Sequence, residues 1–295
     1  MSPFNLLARA TKRIAKNPAL LKEALVYAKN DLLSWLGVYH YDYPVIFIAG
    51  LPKSGTTWLE TQLVRVPGYN LRPTYDPRGV ARDHDVSDEN FDWLPRRSYS
   101  LLKLHTRYSD ENYRVICRHV TKFAVTIRDL RDMCVSNYFH VLSEPAHPNH
   151  ALYTKLSRED GLMHRINVTG EEYVPWVRDW LTCARSNPER IFLLKYEDLN
   201  SDPYRAFQAV FEFFHLPIDK RLLSELERSK LANEKDLREE LRSGGLRTRS
   251  TARKGIVGDW RNHFTDAHKA RFKQLAGDLL IEAGYERDLN WLPRG

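Results

Sequence analysis

The sequence predicts a three-layer α/β/α domain around a central parallel sheet, and three observations carry that expectation. Short apolar runs rich in β-branched and aromatic residues recur along the chain. Each leads into a stretch with helical periodicity, the pattern of buried parallel strands alternating with helices. The 295 residues, 42% hydrophobic and 28% charged, suffice for a large single core and lie far from the composition of disordered chains.

The elements follow in order. Tyr43 to Gly50 (YPVIFIAG) reads as a strand, entered into a Gly/Ser/Thr-rich turn and then a helix from Thr56 to Val66. Lys122 to Ile127 (KFAVTI) leads into a helix over Asp129 to Leu142, and Arg190 to Lys195 (RIFLLK) into one near Pro203 to Phe214. Ser98 to Leu104 (SYSLLKL) is a fourth strand, and Asp266 to Ala283 a closing helix. The polar stretches at 68–97, 143–172 and 231–254 read as loops and short helices that shape a site. The expected organisation is a helical extension over 1–42 packed on one domain over 43–295.

That extension is amphipathic. Leu6, Leu7, Ile14, Leu20, Leu21, Leu25, Trp35 and Leu36 alternate with Arg9, Lys12, Arg13, Lys16, Lys22 and Lys29, and Pro18 divides the pattern into two helices. Helices capping the domain are the first reading; a peripheral membrane anchor is the second. No run approaches the roughly 20 apolar residues of a membrane span, and the first residues lack the order of an export signal. Cys117, Cys134 and Cys183 form an odd set without CxxC spacing, so neither a disulfide framework nor a zinc site is expected, and a cytoplasmic setting is. The net charge of +7 points to an anionic partner.

Gly50-Leu-Pro-Lys-Ser-Gly55 has GxxxxG spacing between a strand and a helix, where backbone N–H groups and a helix N-terminus cradle an anion. The nucleotide triphosphatase form continues Lys-Ser/Thr after the second glycine. Here Thr56-Thr57 follow, and the lysine lies inside the loop as Lys53.

Pro52-Lys53-Ser54-Gly55-Thr56-Thr57-Trp58 resembles the 5'-phosphosulfate loop of the cytosolic sulfotransferases. Arg128 at a strand end followed by Ser136 on a helix resembles the family's 3'-phosphate element, and Arg253-Lys254-Gly255 through Asp259-Trp260 its third signature. The resemblance implies 3'-phosphoadenosine 5'-phosphosulfate (PAPS) as donor, no metal requirement, and a P-loop fold akin to the nucleotide kinases. PAPS is anionic at both ends of its adenosine, so two separated holders are needed. Lys53, Ser54, Gly55, Thr56 and Thr57 form one; Arg128, Ser136, Arg253, Lys254 and Gly255 form the other. Trp58 is placed to stack on adenine, and by resemblance Tyr196 contacts the base and Ser229 the donor.

Lys103-Leu104-His105 resembles the family's Lys-x-His element, which implies His105 as general base, with Lys103 and Lys53 stabilising charge on the transferring group and leaving oxygen. Each residue alone has a structural reading: Gly55 and Gly258 as turn glycines, Trp58 and Trp260 as core aromatics, Asp259 as a helix cap. The segment matching the family's dimer motif carries Asp266 and Ala270 where Val and Glu are expected, which leaves the oligomeric state open. The acceptor-side segments 72–97 and 143–170 are rich in His, Arg and Asp, which favours a polar acceptor such as a sugar or glycolipid headgroup over a phenol. An ATP-dependent kinase with Asp129 as metal ligand is the competing enzyme reading. A basic nucleic-acid-binding module lacks its aromatic-basic motifs, and no nucleic-acid partner is expected.

Overall fold

The structure, a computed structural model, describes residues 18–72, 84–218 and 255–291. Five parallel strands form the sheet: β1 (Val45–Gly50), β2 (Tyr69–Leu71), β3 (Tyr99–Leu104), β4 (Phe123–Ile127) and β5 (Ile191–Lys195), in the spatial order β2-β3-β1-β4-β5. Among the described residues the helices are α1 (Pro18–Trp35), α2 (Thr56–Leu63), α3 (Glu89–Asp92), α4 (Asp110–His119), α5 (Leu130–Ser143), α6 (His150–Tyr153), α7 (Arg158–Val168), α8 (Val174–Ser186), α9 (Tyr196–Ser201), α10 (Pro203–Phe213) and α11 (Asp266–Glu282).

β1 and β4 sit inside the sheet and are covered on both faces, which is why they read as unbroken apolar runs. The two-residue period of a strand divides β1 between two cores. Phe47 and Ala49 pack with Leu102, Phe123, Val125 and Ile127 against Met133, Trp180 and Phe272. Ile46 and Ile48 pack with Leu101, Ala124 and Leu194 against Leu59, Leu63, Phe207 and Phe211. The three expected layers follow from this split. Trp180 is fully buried, and its indole N–H donates to the Thr106 carbonyl at 2.9 Å, so the largest core side chain leaves no polar group unpaired.

The register sets the site. Ala49 pairs with Leu104 and Gly50 with Thr126, so the chain leaves β1, β3 and β4 at one level. Side chains at the C-terminal ends of central strands therefore converge on one crevice.

The polar segments hold more structure than their composition suggests. The 68–97 stretch contains β2, a three-residue edge strand whose polar Asn70 broke the apolar pattern. The 143–172 stretch contains α7, which runs through a π-helical turn (Thr169–Tyr173) into α8. Two glycines lie within these helices. A Cβ at Gly161 would lie 2.7 Å from the Tyr138 ring and one at Gly170 2.8 Å from Leu275, so both glycines serve helix packing. α4 went unread although its ends are marked: Ser109 accepts from the Asn112 N–H, acids occupy the first turn, and Arg118 and His119 the last.

Candidate active site

The loop between β1 and α2 is built around positions that exclude side chains. A Cβ on Gly50 would sit 1.9 Å from Thr56 Cγ2, and one on Gly55 would lie 2.8 Å from Tyr196 Cδ2 at a φ of 80°. Lys53 also takes a left-handed φ of 65°, a cost the surroundings must offset. Ser54 is fully buried, and its hydroxyl donates to the Leu51 carbonyl at 2.6 Å and meets Thr126 Oγ1 at 2.6 Å. It braces the loop from beneath. Thr56 is buried at the start of α2, where free backbone N–H groups favour an anion. Trp58 is half-buried, edge-to-face with Phe207.

Lys103 shares a face of β3 with Leu101, toward α2, and His105 stands just past the last residue of the strand. The Lys103 ammonium donates to Thr57 Oγ1 at 3.4 Å and forms an ion pair with Glu60, whose side chain is 5% exposed. Burial pushes the Glu60 carboxyl pKa up, while Lys103 pulls it down. Glu60 was not singled out in the sequence; the available signal was its position one turn after Thr57, on the same helix face.

His105 Nδ1 lies 2.9 Å from the Gly50 carbonyl oxygen. A carbonyl only accepts, so Nδ1 carries the proton and Nε2 keeps its lone pair in the neutral ring. Burial drives the His105 pKa down to about 4; the Gly50 bond opposes this, and the charges of Lys103, His84 and Lys53 add to it. His84 lies 3.3 Å from the His105 carbonyl and packs edge-on against Trp176. On α5, His140 has its pKa lowered by burial and then by Lys53, which places a second imidazole within the field of the loop.

Residues expected to form the other anion holder meet across β4 and α9. Arg128 donates to the carbonyls of Lys53 at 3.1 Å and Ile256 at 3.3 Å, and its guanidinium lies 4.1 Å from the centre of the Tyr196 ring. Among the described residues its buried Nε has no partner. Ser136 lies 7% exposed on α5. Gly255, at a φ of 67°, accepts from Asn200 Nδ2 at 2.7 Å and lies beside the Tyr196 hydroxyl. Arg128, Tyr196 and Gly255 are thus brought together, with the loop between them and His105. Ser229, Arg253 and Lys254 lie outside the described residues.

Asp132 on α5, also unread in the sequence, secures the third signature. Its carboxylate accepts from the N–H groups of Gly258 at 2.6 Å and Trp260 at 2.9 Å. Asp129 caps α5 and is paired side-on with the Arg131 guanidinium, which also reaches Glu286 and lies over Trp260. The carboxylate on which the kinase reading depends is therefore committed to structure.

A glycine cradle that closes a central strand and opens a helix places the chain in the class of α/β proteins that hold a nucleotide's anionic groups there. A sequence model of the sulfotransferase domain matches residues 44–284. The chain is 25% identical over 274 residues to a flavonol sulfotransferase-like protein of Flaveria bidentis, covering 81% of this chain and 82% of that protein. It is 25% identical to cytosolic sulfotransferase 3 of Arabidopsis thaliana, covering 80% and 76%. The fold matches a mouse sulfotransferase 7A1 structure complexed with PAP, with a TM-score of 0.63 and 19% identity over 88% of this chain and 92% of that one. The chain belongs to the sulfotransferase family, and it is an enzyme of that family. Among the described residues no helix is long and apolar enough to cross a membrane.

Proposed function

We propose that this enzyme transfers the sulfuryl group of PAPS to a hydroxyl of a polar acceptor, with His105 as general base. The observation that carries the reading is the bond from His105 to Gly50, which ties the base to the residue that opens the anion cradle. The related mouse structure, complexed with PAP, supports the donor assignment. The residues present suit such a donor: the loop from Gly50 to Gly55 leads into the N-terminus of α2, whose free backbone N–H groups favour an anion, and Arg128 keeps a buried Nε without a partner among the described residues. Lys53, Thr56, Thr57 and the α2 N-terminus would hold the 5'-phosphosulfate end. Arg128, Ser136 and Gly255 would hold the 3'-phosphate, with Arg253 and Lys254 assigned there and Ser229 assigned to the donor by sequence resemblance, and Tyr196 and Trp58 would flank the base.

Bound PAPS supplies an activated sulfuryl group on a phosphate leaving group. The protein aligns the partners and manages charge and one proton. His105 Nε2 takes the acceptor proton as the acceptor oxygen bonds to sulfur and the bond from sulfur to the bridging oxygen breaks. Lys53 faces the charge that collects on that oxygen. Lys103, held by Glu60 and Thr57, faces the transferring group. Imidazoles at His84 and His140 near the loop favour a hydroxyl acceptor with further polar groups, such as a sugar or glycolipid headgroup, over a flat phenol.

Thermal denaturation tests the donor. PAPS and PAP raise the melting temperature without magnesium, and ATP does not; stabilisation by magnesium-ATP alone would remove the reading. A PAPS-dependent screen over sugars, glycolipids, alcohols and phenols tests the acceptor, and turnover of simple phenols alone would reject a polar one.

A further inference from the structure

Helix α1 docks on the sheet with the opposite polarity from an ordinary surface helix. Its inner face is polar and meets the edge strand β2. Asn70 accepts from Asn30 at 2.9 Å and donates to the Tyr27 carbonyl at 3.0 Å and to Asp31 at 2.9 Å. Asp31 pairs with Arg72 at 2.5 Å, and Ser34 is buried with its hydroxyl on the Asn30 carbonyl. At about 100° per residue, Tyr27, Asn30, Asp31 and Ser34 share one side of the helix.

The outer side is apolar. Leu25 is 62% exposed, Leu32 56% and Leu36 59%, and these three fall within an arc of about 40°. Trp35 at the end of the helix and Val38 just beyond it are also open to solvent. Of the 11 large hydrophobic side chains that are strongly exposed among the described residues, six lie between positions 25 and 38. Exposed apolar residues scattered singly need no explanation, but a contiguous stripe does.

Charge indicates what the stripe meets. Residues 1–30 carry Arg9, Lys12, Arg13, Lys16, Lys22 and Lys29 against one acid, Glu23. Lys29 is exposed on the flank of the stripe, and Lys22 precedes it by seven positions in the sequence. Pairing this face with a second copy across a two-fold axis would bring like cations together. An anionic lipid surface instead offers phosphates to the lysines, an acyl boundary to the leucines and an interfacial site to Trp35.

We propose that the outer face of α1 is a peripheral docking surface for membranes containing anionic lipid. The polar contacts to β2 hold the stripe outward, so the domain need not rearrange to bind. This inference is independent of the donor and acceptor assignments.

Sedimentation of the full chain with vesicles of phosphatidylcholine, with and without phosphatidylglycerol, tests it. The protein binds the phosphatidylglycerol vesicles and is released by salt. Lys22→Gln/Lys29→Gln lowers partitioning about 30-fold, at roughly a fivefold effect per lysine. Leu25→Gln/Leu32→Gln abolishes binding while leaving the melting temperature and the state of association unchanged. Absence of binding to anionic vesicles overturns the proposal. So does a leucine variant that loses several degrees of melting temperature, because the face would then be covered by this chain, or one that dissolves a dimer, because it would be covered by another copy.

Discussion

Replacing His105 by Gln removes a titrating base while retaining a donor of similar reach toward the Gly50 carbonyl. The His105 pKa lies at about 4 in the fold against an ordinary 6.5, and burial is the main cause. Between those values the unfolded chain holds a proton that the folded chain refuses, so stability rises with pH across the window. The contribution is complete above the unfolded value and is lost as pH falls through the folded one. Its full size is about 3 kcal/mol, of which about 2 kcal/mol is gone at about pH 5. Urea denaturation of donor-free wild type and His105→Gln, each at neutral pH and at about pH 5, isolates the term, because every other group titrates alike in both. Wild type should lose about 2 kcal/mol more than the variant on acidification. Equal losses would refute the account of His105 as a neutral imidazole held by burial. The variant should also lose at least 100-fold in kcat, and the acid limb of kcat/KM in wild type should lie below the ordinary histidine range.

Three further outcomes follow from the same geometry. Glu60→Gln removes the partner of Lys103, so kcat should fall about tenfold with PAP affinity unchanged; in a Lys103→Met background the same change should cost nothing further, and additive losses would separate the two residues. Asp132→Ala leaves the Gly258 and Trp260 N–H groups unpaired, which should lower stability by about 2–3 kcal/mol in urea titrations and weaken PAP binding. Gly55→Ala must strain a positive φ and displace Tyr196, so calorimetry should show PAP affinity reduced at least tenfold with the fold retained.

Much of the domain was legible because its strongest signals are local. β1, β4 and β5 announce themselves as apolar runs, and the helices that begin at Thr56, Pro203 and Asp266 start where their turn residues and caps indicate. What escaped was set by distant partners. β2 is a strand because Asn70 and its neighbours pair with β3, and α7 continues past Gly161 because Tyr138 occupies the space beside it. Glu60 and Asp132 look like solvated helix residues in the sequence. Each acquires a role only when a lysine from β3, or backbone N–H groups 126 and 128 positions away, arrives beside it.

The sequence by itself determined the alternation of strand and helix, the glycine-bounded loop after β1 and the pairing of Lys103 with His105 near a strand end. Those features depend on neighbours a few residues apart, where backbone geometry limits the choices. Tertiary structure alone decided that His105 bonds to Gly50 and stays neutral, that Arg128 stacks on Tyr196, and that α1 turns its polar side inward. Such outcomes rest on burial and on contacts between separate strands and helices, and both exist only once the sheet has brought those elements together.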